Sequence, residues 1–259
     1  MQTKKLTVHR PSKKLFATAD KDFGHYLAGI IDADGHFNKL GHVVIAFILR
    51  DIRDAYTIRS LIGYGKVRPV KGKNSVNLII SNKKGASHVA NLVRHKLKHP
   101  DKIEQYNLRL CELLGLSLEK TSTDTTIDWD SFWFSGFCDA DGHLRIHILN
   151  RPHRKNHEVR LLCQIDQKGD VLLKQMQLRF GGYLGYRKSL DTYYYSSVSF
   201  KGIYSILQYF DKYSSQYTQA YLRYTILRKS YLIIQKKEHL TPKGLDQIVK
   251  YRLALKDMI

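Results

Sequence analysis

The sequence predicts an α+β protein with two pseudo-symmetric domains, each in the element order α-β-β-α-β-β-α. A nine-residue pattern at residues 27–35 recurs in altered form at residues 134–142, and both copies end in Asp-Ala-Asp-Gly before a histidine. Strand-like and helix-like segments follow both copies in the same order. The 259 residues are enough for two domains of about one hundred residues each.

Each element follows from a local pattern of apolar residues and turn residues. After the first motif helix we predict a strand, a helix, a hairpin turning near 71–74, and two helices, at residues 43–49, 54–62, 66–81, 86–96 and 102–114. After the second we predict two strands, a helix, a hairpin and further helices, at residues 143–149, 159–165, 171–180, 183–200 and onward. Thr241 before Pro242 predicts the start of a late helix.

Residues 117–130 are rich in Ser, Thr and Asp, which is the composition of a linker. They separate a first domain at residues 1–116, which begins with a basic tail, from a second domain at residues 131–259. The tail, residues 1–14, lacks the apolar stretch of a secretory signal. A transit peptide and a short tail along DNA both stay open as interpretations.

The composition indicates an anionic partner inside a reducing compartment. The net charge is +20 and the isoelectric point is near 9.8, which favours nucleic acid first and an acidic membrane surface second. Three cysteines without C-x-x-C spacing argue against a disulfide framework and a zinc site. No run of eighteen apolar residues occurs, so we predict no membrane span.

The predicted strands alternate between apolar side chains and side chains of Arg, Lys, His, Asn, Ser and Tyr. Such a polar face is either solvated or a surface that pairs with phosphates and base edges, and the charge of the chain favours the second interpretation. The candidate nucleic-acid contacts are His36, Asn38, Lys66, Arg68, Lys71, Lys73, Ser75, Asn77, His143, Arg145, His147, Lys168, Tyr186, Lys188, Tyr193, Tyr195 and Ser197.

Small residues four positions apart mark both motif helices. Gly29 and Ala33 in the first, like Gly136 and Ala140 in the second, leave a bare stripe on which two helix backbones can approach closely. Simple burial of each helix in its own core is the alternative. We expect Asp20 or Asp22 to cap the first helix, Asp130 or Ser131 to cap the second, and left-handed glycines to end them at Gly35 and Gly142.

Asp34 and Asp141 fall at the C-terminal ends of the motif helices. A carboxylate there faces the negative end of the helix dipole, at a cost of up to about 1 kcal/mol. An acid placed twice in this position calls for a cation, and oxygen ligands suit Mg²⁺. A capped helix followed by an Asp turn is the simpler interpretation of either copy alone.

With these residues, LAGIIDADG at 27–35 and FSGFCDADG at 134–142, the chain resembles a single-chain LAGLIDADG homing endonuclease. The second copy keeps Gly136 and the Asp-Ala-Asp-Gly end. The resemblance implies motif helices paired at the domain interface, antiparallel sheets that form a saddle on duplex DNA, and metal-dependent cutting of both strands of a long site. Members are usually intron-encoded, and some are RNA maturases.

The resemblance also implies roles for particular residues. Asp34 and Asp141 are the expected metal ligands, joined by the carbonyls of Ala33 and Ala140, while Asp32 and Asp139 are expected to be structural. Gln167 matches a polar residue beside the scissile phosphates, Arg50 stands at that place in the first half, and Lys102 matches a basic residue that organises solvent. Residues 214–220 contain no lysine, so the second pocket is expected to be incomplete.

The expected cofactor is Mg²⁺, with Mn²⁺ as a substitute and Ca²⁺ supporting binding without cleavage. The expected partners are double-stranded DNA and, for a maturase, host intron RNA. The protein is expected to act as a monomer in a mitochondrion or chloroplast if it is intron-encoded, with no membrane association. Two alternatives remain: an RNA maturase that assists group I intron splicing, and a DNA-binding protein that has lost cleavage.

Overall fold

The computed structural model describes residues 5–9, 12–16, 21–112, 122–152 and 157–258. Its helices are α1 (Lys21–Asp34), α2 (Ile52–Ile62), α3 (Lys83–Val93), α4 (Pro100–Gln105), α5 (Trp133–Asp141), α6 (Val171–Phe180), α7 (Phe200–Lys212), α8 (Thr218–Gln235) and α9 (Pro242–Asp257). Its strands are β1 (Gly35–Phe37), β2 (Val43–Ile48), β3 (Lys66–Pro69), β4 (Ser75–Ile80), β5 (Gly142–Leu149), β6 (Glu158–Gln167), β7 (Tyr183–Arg187) and β8 (Thr192–Ser197).

The predicted order α-β-β-α-β-β-α is confirmed twice, from α1 to α3 and from α5 to α7. The first series continues into α4 and a π-helical segment, Tyr106–Glu112, and the second continues into α8 and α9. Parts of the predicted linker and basic tail, the end of the predicted helix at 102–114, and Asp20 lie outside the described residues.

By internal contacts the chain divides into two compact units that do not coincide with the two repeats. The first-sheet unit comprises residues 14–141 and 215–218, and the second-sheet unit comprises residues 1–13, 142–214 and 219–259. Both motif helices, α1 and α5, therefore belong to the first-sheet unit. The predicted domain boundaries were drawn on the sequence repeats, and they stay a prediction.

The first sheet has the antiparallel order β1-β2-β4-β3. Residues that pair directly across an antiparallel ladder share a face, so Ile45 and Leu78 lie on one face with Phe47 and Val76. These four side chains are buried, and α2 packs against the same sheet. The opposite, open face carries the predicted contacts His36, Lys66, Arg68, Ser75 and Asn77.

The second sheet has the matching order β5-β6-β8-β7, and its core face packs against α6 and α7. The prediction that Tyr195 and Ser197 contact nucleic acid is wrong. Both side chains are fully buried, opposite Ile165 and Cys163 of β6. Tyr194 and Ser196 lie on the open face of β8 instead, because successive side chains of a strand point to opposite faces.

The predicted left-handed helix ends at Gly35 and Gly142 are also wrong. Neither residue has a positive φ, and each one is the first residue of a strand. Gly35 is needed for another reason: a Cβ there would lie 2.6 Å from the Cα of Ile31, so a side chain would collide with the preceding helical turn. The predicted helix start at Thr241 is confirmed, since its hydroxyl accepts a 3.2 Å hydrogen bond from Gly244 N.

The described part of the N-terminal tail lies against α8 within the second-sheet unit. Leu6 is buried, and its backbone exchanges two hydrogen bonds with the side chain of Gln235, at 2.8 and 3.1 Å. The guanidinium of Arg228 donates to the carbonyls of Thr7 and His9 at 3.0 and 2.9 Å. Residues 5–9 are thus held by α8. Among the described residues, no helix is both long and apolar enough to cross a bilayer.

Candidate active site at the paired motif helices

The two motif helices touch backbone to backbone within the first-sheet unit. A Cβ on Gly29 would overlap the carbonyl oxygen of Trp133 and lie 2.8 Å from Phe137 N. A Cβ on Gly136 would overlap the carbonyl oxygen of Tyr26 and lie 3.2 Å from Ile30 N. The close approach predicted from the small-residue spacing is therefore present, and it leaves no room for any side chain at either glycine.

The first aspartate of each motif accepts hydrogen bonds from the other motif helix and from the start of a later helix. Asp32 accepts from Trp133 Nε1 at 2.7 Å, and from the backbone N–H groups of Lys98 and His99 at 2.7 and 3.2 Å. His99 is the N-cap residue of α4, so Asp32 ties α1 to both α5 and α4.

Asp139 repeats this arrangement with different donors. It accepts from the Tyr26 hydroxyl at 2.7 Å and from the backbone N–H groups of Gln216 and Tyr217 at 2.6 and 3.0 Å. Thr218, the first residue of α8, follows directly. Each motif aspartate thus accepts from an aromatic donor of the opposite helix and from two N–H groups before a helix, where a carboxylate is favourable.

Burial raises the pKa of both carboxyl groups, to about 7 for Asp32 and about 6 for Asp139, and the hydrogen bonds oppose this shift. Their burial and these hydrogen bonds fit a structural role, but the three bonds to Asp139 all end on Oδ2, and its buried Oδ1 accepts none among the described residues. The expectation that Asp32 and Asp139 are structural agrees with this geometry.

The second aspartate of each motif faces a different environment. Gly29 and Asp34 are five residues apart, as are Gly136 and Asp141, so the Cα atom of each aspartate lies about 7–8 Å further along its helix axis than the glycine. Burial lowers the pKa of Lys102, and the carboxylates of Asp32, Asp101, Asp141 and Asp34 oppose that shift. Lys102 of α4 therefore shares one electrostatic environment with both predicted metal ligands.

Asp34 is accessible to solvent at the end of α1, yet it is crowded by protein. This crowding raises its pKa to about 6, and the positive charge of Lys102 opposes the shift. A carboxylate that is costly to ionise but open to solvent is well placed to gain from a cation.

A buried tyrosine and a long-range contact flank this centre. The pKa of Tyr217 is raised well above its ordinary value by burial and by the charges of Asp139 and Asp34, among others. The next residue, Thr218, donates from its backbone N–H to both carboxylate oxygens of Asp54 at 3.2 and 3.1 Å, and its hydroxyl donates to the same group at 3.1 Å. Asp54 of α2 thereby holds Thr218 within the first-sheet unit, a contact that the sequence reasoning missed.

The donor set suits a hard divalent cation. Asp34, Asp141 and the carbonyls of Ala33 and Ala140 supply oxygen atoms, at helix ends that carry partial negative charge. In the described part of the chain no group of three or more His, Cys, Asp or Glu side chains is arranged to hold a metal. Mg²⁺ tolerates this, because it is often bound by one or two carboxylates with water and substrate phosphates.

Two other predicted catalytic residues lie at the ends of strands. Arg50 is exposed in a short 3₁₀ turn after β2, and Gln167 ends β6 opposite Tyr193. In the second-sheet unit, Arg223 is buried, and its charge joins burial and Arg145 in lowering the pKa of His143. Arg223 lies three positions after residues 214–220, the stretch without lysine. The second half therefore does contain a buried cation, which the sequence reasoning did not consider.

Most predicted nucleic-acid contacts are open to solvent. His143, Arg145 and His147 lie on the open face of β5, Lys71 and Lys73 lie in the β3–β4 turn, and Lys168 and Lys188 lie in exposed turns. Two others have local tasks. The carboxamide oxygen of Asn38 accepts from the backbone N–H groups of Leu40 and His42, and the Tyr186 hydroxyl donates to Asp191 at 2.7 Å.

The open face of the second sheet also carries a polar network that was missed. Asp166 accepts from Arg187 at 2.7 Å and from Gln164 at 3.0 Å, and the Arg187 guanidinium stacks 4.3 Å from the ring centroid of Tyr194. Strand alternation could have placed Asp166 from the sequence. It directly follows the core residue Ile165, so its side chain lies on the opposite, open face.

The fold and the paired acidic helix ends define a class of protein, and sequence comparison agrees. The family described as LAGLIDADG endonuclease matches residues 134–231. The chain is 44% identical over 252 residues to the cox1 intron-2 37.2 kDa protein of Schizosaccharomyces pombe, with 96% of this chain and 77% of that protein covered. The chain belongs to the LAGLIDADG family of homing endonucleases and maturases.

More distant relatives carry both kinds of name. The chain is 26% identical over 194 residues to the intron-encoded RNA maturase bI4 of Saccharomyces cerevisiae, covering 73% of this chain and 29% of that protein. It is 25% identical over 167 residues to the intron-encoded DNA endonuclease aI3 of the same yeast, covering 54% of this chain and 40% of that protein. The matches span less than half of either yeast protein.

Solved structures of meganucleases share the fold. I-AabMI bound to uncleaved DNA superposes with a TM-score of 0.71 at 21% identity, over 88% of this chain and 97% of that one. I-SmaMI bound to an uncleaved DNA target with calcium ions superposes with a TM-score of 0.69 at 19% identity, over the same shares. Two four-stranded antiparallel sheets in a mixed helix-and-sheet protein are thus the expected architecture.

Proposed function

We propose that this protein is a site-specific endonuclease that makes double-strand breaks in a long duplex DNA target by metal-dependent hydrolysis of phosphodiester bonds. The observation that carries the proposal is the pair of carboxylates, Asp34 and Asp141, at the ends of two closely packed helices that share Lys102. A protein that only bound DNA would gain nothing from acids at two negative helix ends.

Each residue near the centre has a distinct task in this proposal. Asp34 and Asp141, with the carbonyls of Ala33 and Ala140, hold Mg²⁺, for which Mn²⁺ substitutes. Bound Mg²⁺ would supply the activation of water and the stabilisation of the leaving oxygen. Lys102 adds a positive charge beside the carboxylates, and Arg50 and Gln167 contact the phosphates near the cut.

Duplex DNA is the proposed substrate, and the open sheet faces are its proposed binding surfaces. The net charge of +20 supports this choice, together with the DNA-bound state of the meganucleases that share the fold. The open-face cations would neutralise phosphates, and the neutral polar side chains would read base edges. The match to a cox1 intron protein supports an organellar, intron-encoded origin, and a single chain that carries both motifs supports action as a monomer.

The test is cleavage of a duplex that spans the insertion site of the host intron, with the intron sequence removed. We expect linear product with Mg²⁺ or Mn²⁺, none with chelator, and binding without cutting in Ca²⁺, whose looser geometry positions water poorly. Binding to this duplex without cutting under any divalent ion would contradict the nuclease and favour a binding protein that has lost cleavage.

A second candidate is an RNA maturase, favoured by the match to maturase bI4. Splicing assays of the host intron RNA decide between the two. Stimulated splicing together with intact DNA cleavage would assign both activities, and stimulated splicing alone would select the maturase.

A further inference from the structure

A groove lies between the edge strand of the second sheet and the last two turns of α9. It encloses a cavity of about 680 Å³ within the second-sheet unit. Arg145 and His147 of β5 line one wall, and Arg252 and Lys256 of α9 line the other. Buried Ile146 and Leu255 also line the groove, so its polar walls are built on a packed contact between β5 and α9.

The groove is cationic on both sides. His147, Arg252 and Lys256 are exposed, and among the described residues that line the groove none is a carboxylate. Arg145, Arg252 and Lys256 carry permanent positive charges, which repel each other around the groove unless an anion binds there.

Arg145 gives a second, independent indication of a ligand. Its Nε atom is buried and has no hydrogen-bond partner among the described residues. Buried donors are rarely left unsatisfied, and a guanidinium is suited to phosphate oxygens because its N–H groups lie in one planar fork. A phosphate in the groove would contact the guanidinium of Arg145, which lines one wall.

The helix dipole offers a simpler explanation for part of the cluster. A cation in the last turn of a helix is favourable, and this accounts for Lys256. It does not account for the unsatisfied Nε of Arg145. The edge of the first sheet differs from this groove. Its edge strand β1 has only three residues, and the guanidinium of Arg109 beside it donates to the carbonyl of Phe37, so this cation already has a partner within the protein.

We propose that this groove binds the phosphodiester backbone of duplex DNA. Helix α9 would then extend the nucleic-acid-binding surface of the second sheet beyond its edge strand β5. The inference rests on the proposed function. Duplex DNA is the occupant because Arg145 and His147 belong to the open face proposed to contact it, and the groove continues that face around the edge of β5.

The test compares two double variants of α9 that remove the same charge. Arg252→Ala with Lys256→Ala alters the groove, whereas Lys243→Ala with Lys250→Ala alters exposed lysines outside it, one of which pairs with Asp246. Affinity for the target duplex is measured by fluorescence anisotropy in Ca²⁺ over a salt series, after thermal melts show that both variants fold.

The groove variant should reduce the slope of log affinity against log salt by about 1.8, which corresponds to two phosphate contacts. Its loss should be equal on target and unrelated duplexes, because phosphates carry no sequence. The control should keep the parent slope.

The proposal is overturned if the groove variant keeps the parent salt slope, or if the control variant's slope falls by as much. Neither result affects the proposed nuclease function, which is tested separately by cleavage with the parent protein. Unchanged DNA binding with weaker binding to host intron RNA would assign the groove to RNA and also overturn the groove proposal.

Discussion

The two halves of the centre match at their buried aspartates and differ at their accessible ones. Asp32 and Asp139 each accept an aromatic donor from the opposite motif helix and two N–H groups before a later helix. Three residues after His99 stands Lys102, whereas three residues after Tyr217 stands Ala220. The anchoring is therefore duplicated, and the lysine at this spacing is not.

The comparison separates two requirements on each half: pairing of the motif helices, and the chemistry around the accessible aspartate. Pairing of the motif helices requires close backbone contact and hydrogen-bond donors for the buried carboxylates. Both copies provide these in nearly the same way. In the proposed nuclease, the residues around each scissile phosphate need only suit one DNA strand. The second half accordingly keeps its carboxylate but departs from the first in the residues around it.

The largest expected effect is on stability, from Gly29→Ala or Gly136→Ala. Each added methyl group would overlap a carbonyl oxygen of the opposite helix backbone, which cannot move away like a flexible side chain. We expect each variant to lose about 3 kcal/mol or more in free energy of unfolding. Gly169→Ala is the control, since a Cβ there meets nothing within 4 Å. Parent-like denaturation midpoints for both glycine variants would show that the helices do not pack this closely.

The duplicated anchors should respond alike to Asp32→Asn and Asp139→Asn. Each change replaces a buried acceptor of three hydrogen bonds by an amide, and we expect a loss of about 2 kcal/mol in each case, measured by urea denaturation. The control Asp246→Asn breaks an exposed pair with Lys250 and should change stability by less than about 0.5 kcal/mol. If one anchor variant is destabilised and the other is not, the two halves are not equivalent in their anchoring.

Because Lys102 has no equivalent lysine in the second half, we expect the two DNA strands to be cut at unequal rates. Lys102→Ala is expected to slow one strand about tenfold more than the other, so that nicked circular plasmid accumulates before linear product. Arg50→Ala should shift the same ratio. The control Lys83→Ala removes an exposed lysine from α3, which packs on the core side of the first sheet. An unchanged ratio for both Lys102→Ala and Arg50→Ala would remove these residues from a shared pocket.

The smallest expected effect is on the pH dependence of stability, through His25. Burial and the charge of Lys96 lower its pKa from 6.5 to about 4, so the folded state favours neutral histidine. Its contribution is complete above pH 6.5 and is lost as the pH falls toward 4. The corresponding residue of the second motif is Phe132, and His25→Phe should make stability fall less between these pH values. His157→Phe, at an exposed position, is the matched control for the substitution itself.

Much of this centre follows from local sequence. The spacing of Gly29 and Ala33 predicted close helix packing, and the strand alternation placed Lys66, Arg68 and Asn77 on the open face. The failures have physical causes. The strand Thr192–Ser197 has Tyr and Ser on both faces, so its pattern does not indicate that Tyr195 is buried. Asp54 binds a threonine 164 residues away, and Trp133 donates to an aspartate 101 residues away, contacts that no local pattern encodes.

The most direct test of the central claim is plasmid cleavage by Asp34→Asn and Asp141→Asn, each measured beside binding of the same target in Ca²⁺. We expect each variant to lose double-strand cleavage and to keep affinity for the duplex within about tenfold, because the amide preserves shape but supplies a weaker metal ligand. Full double-strand cleavage by either variant would contradict the assignment of these two carboxylates as the metal ligands.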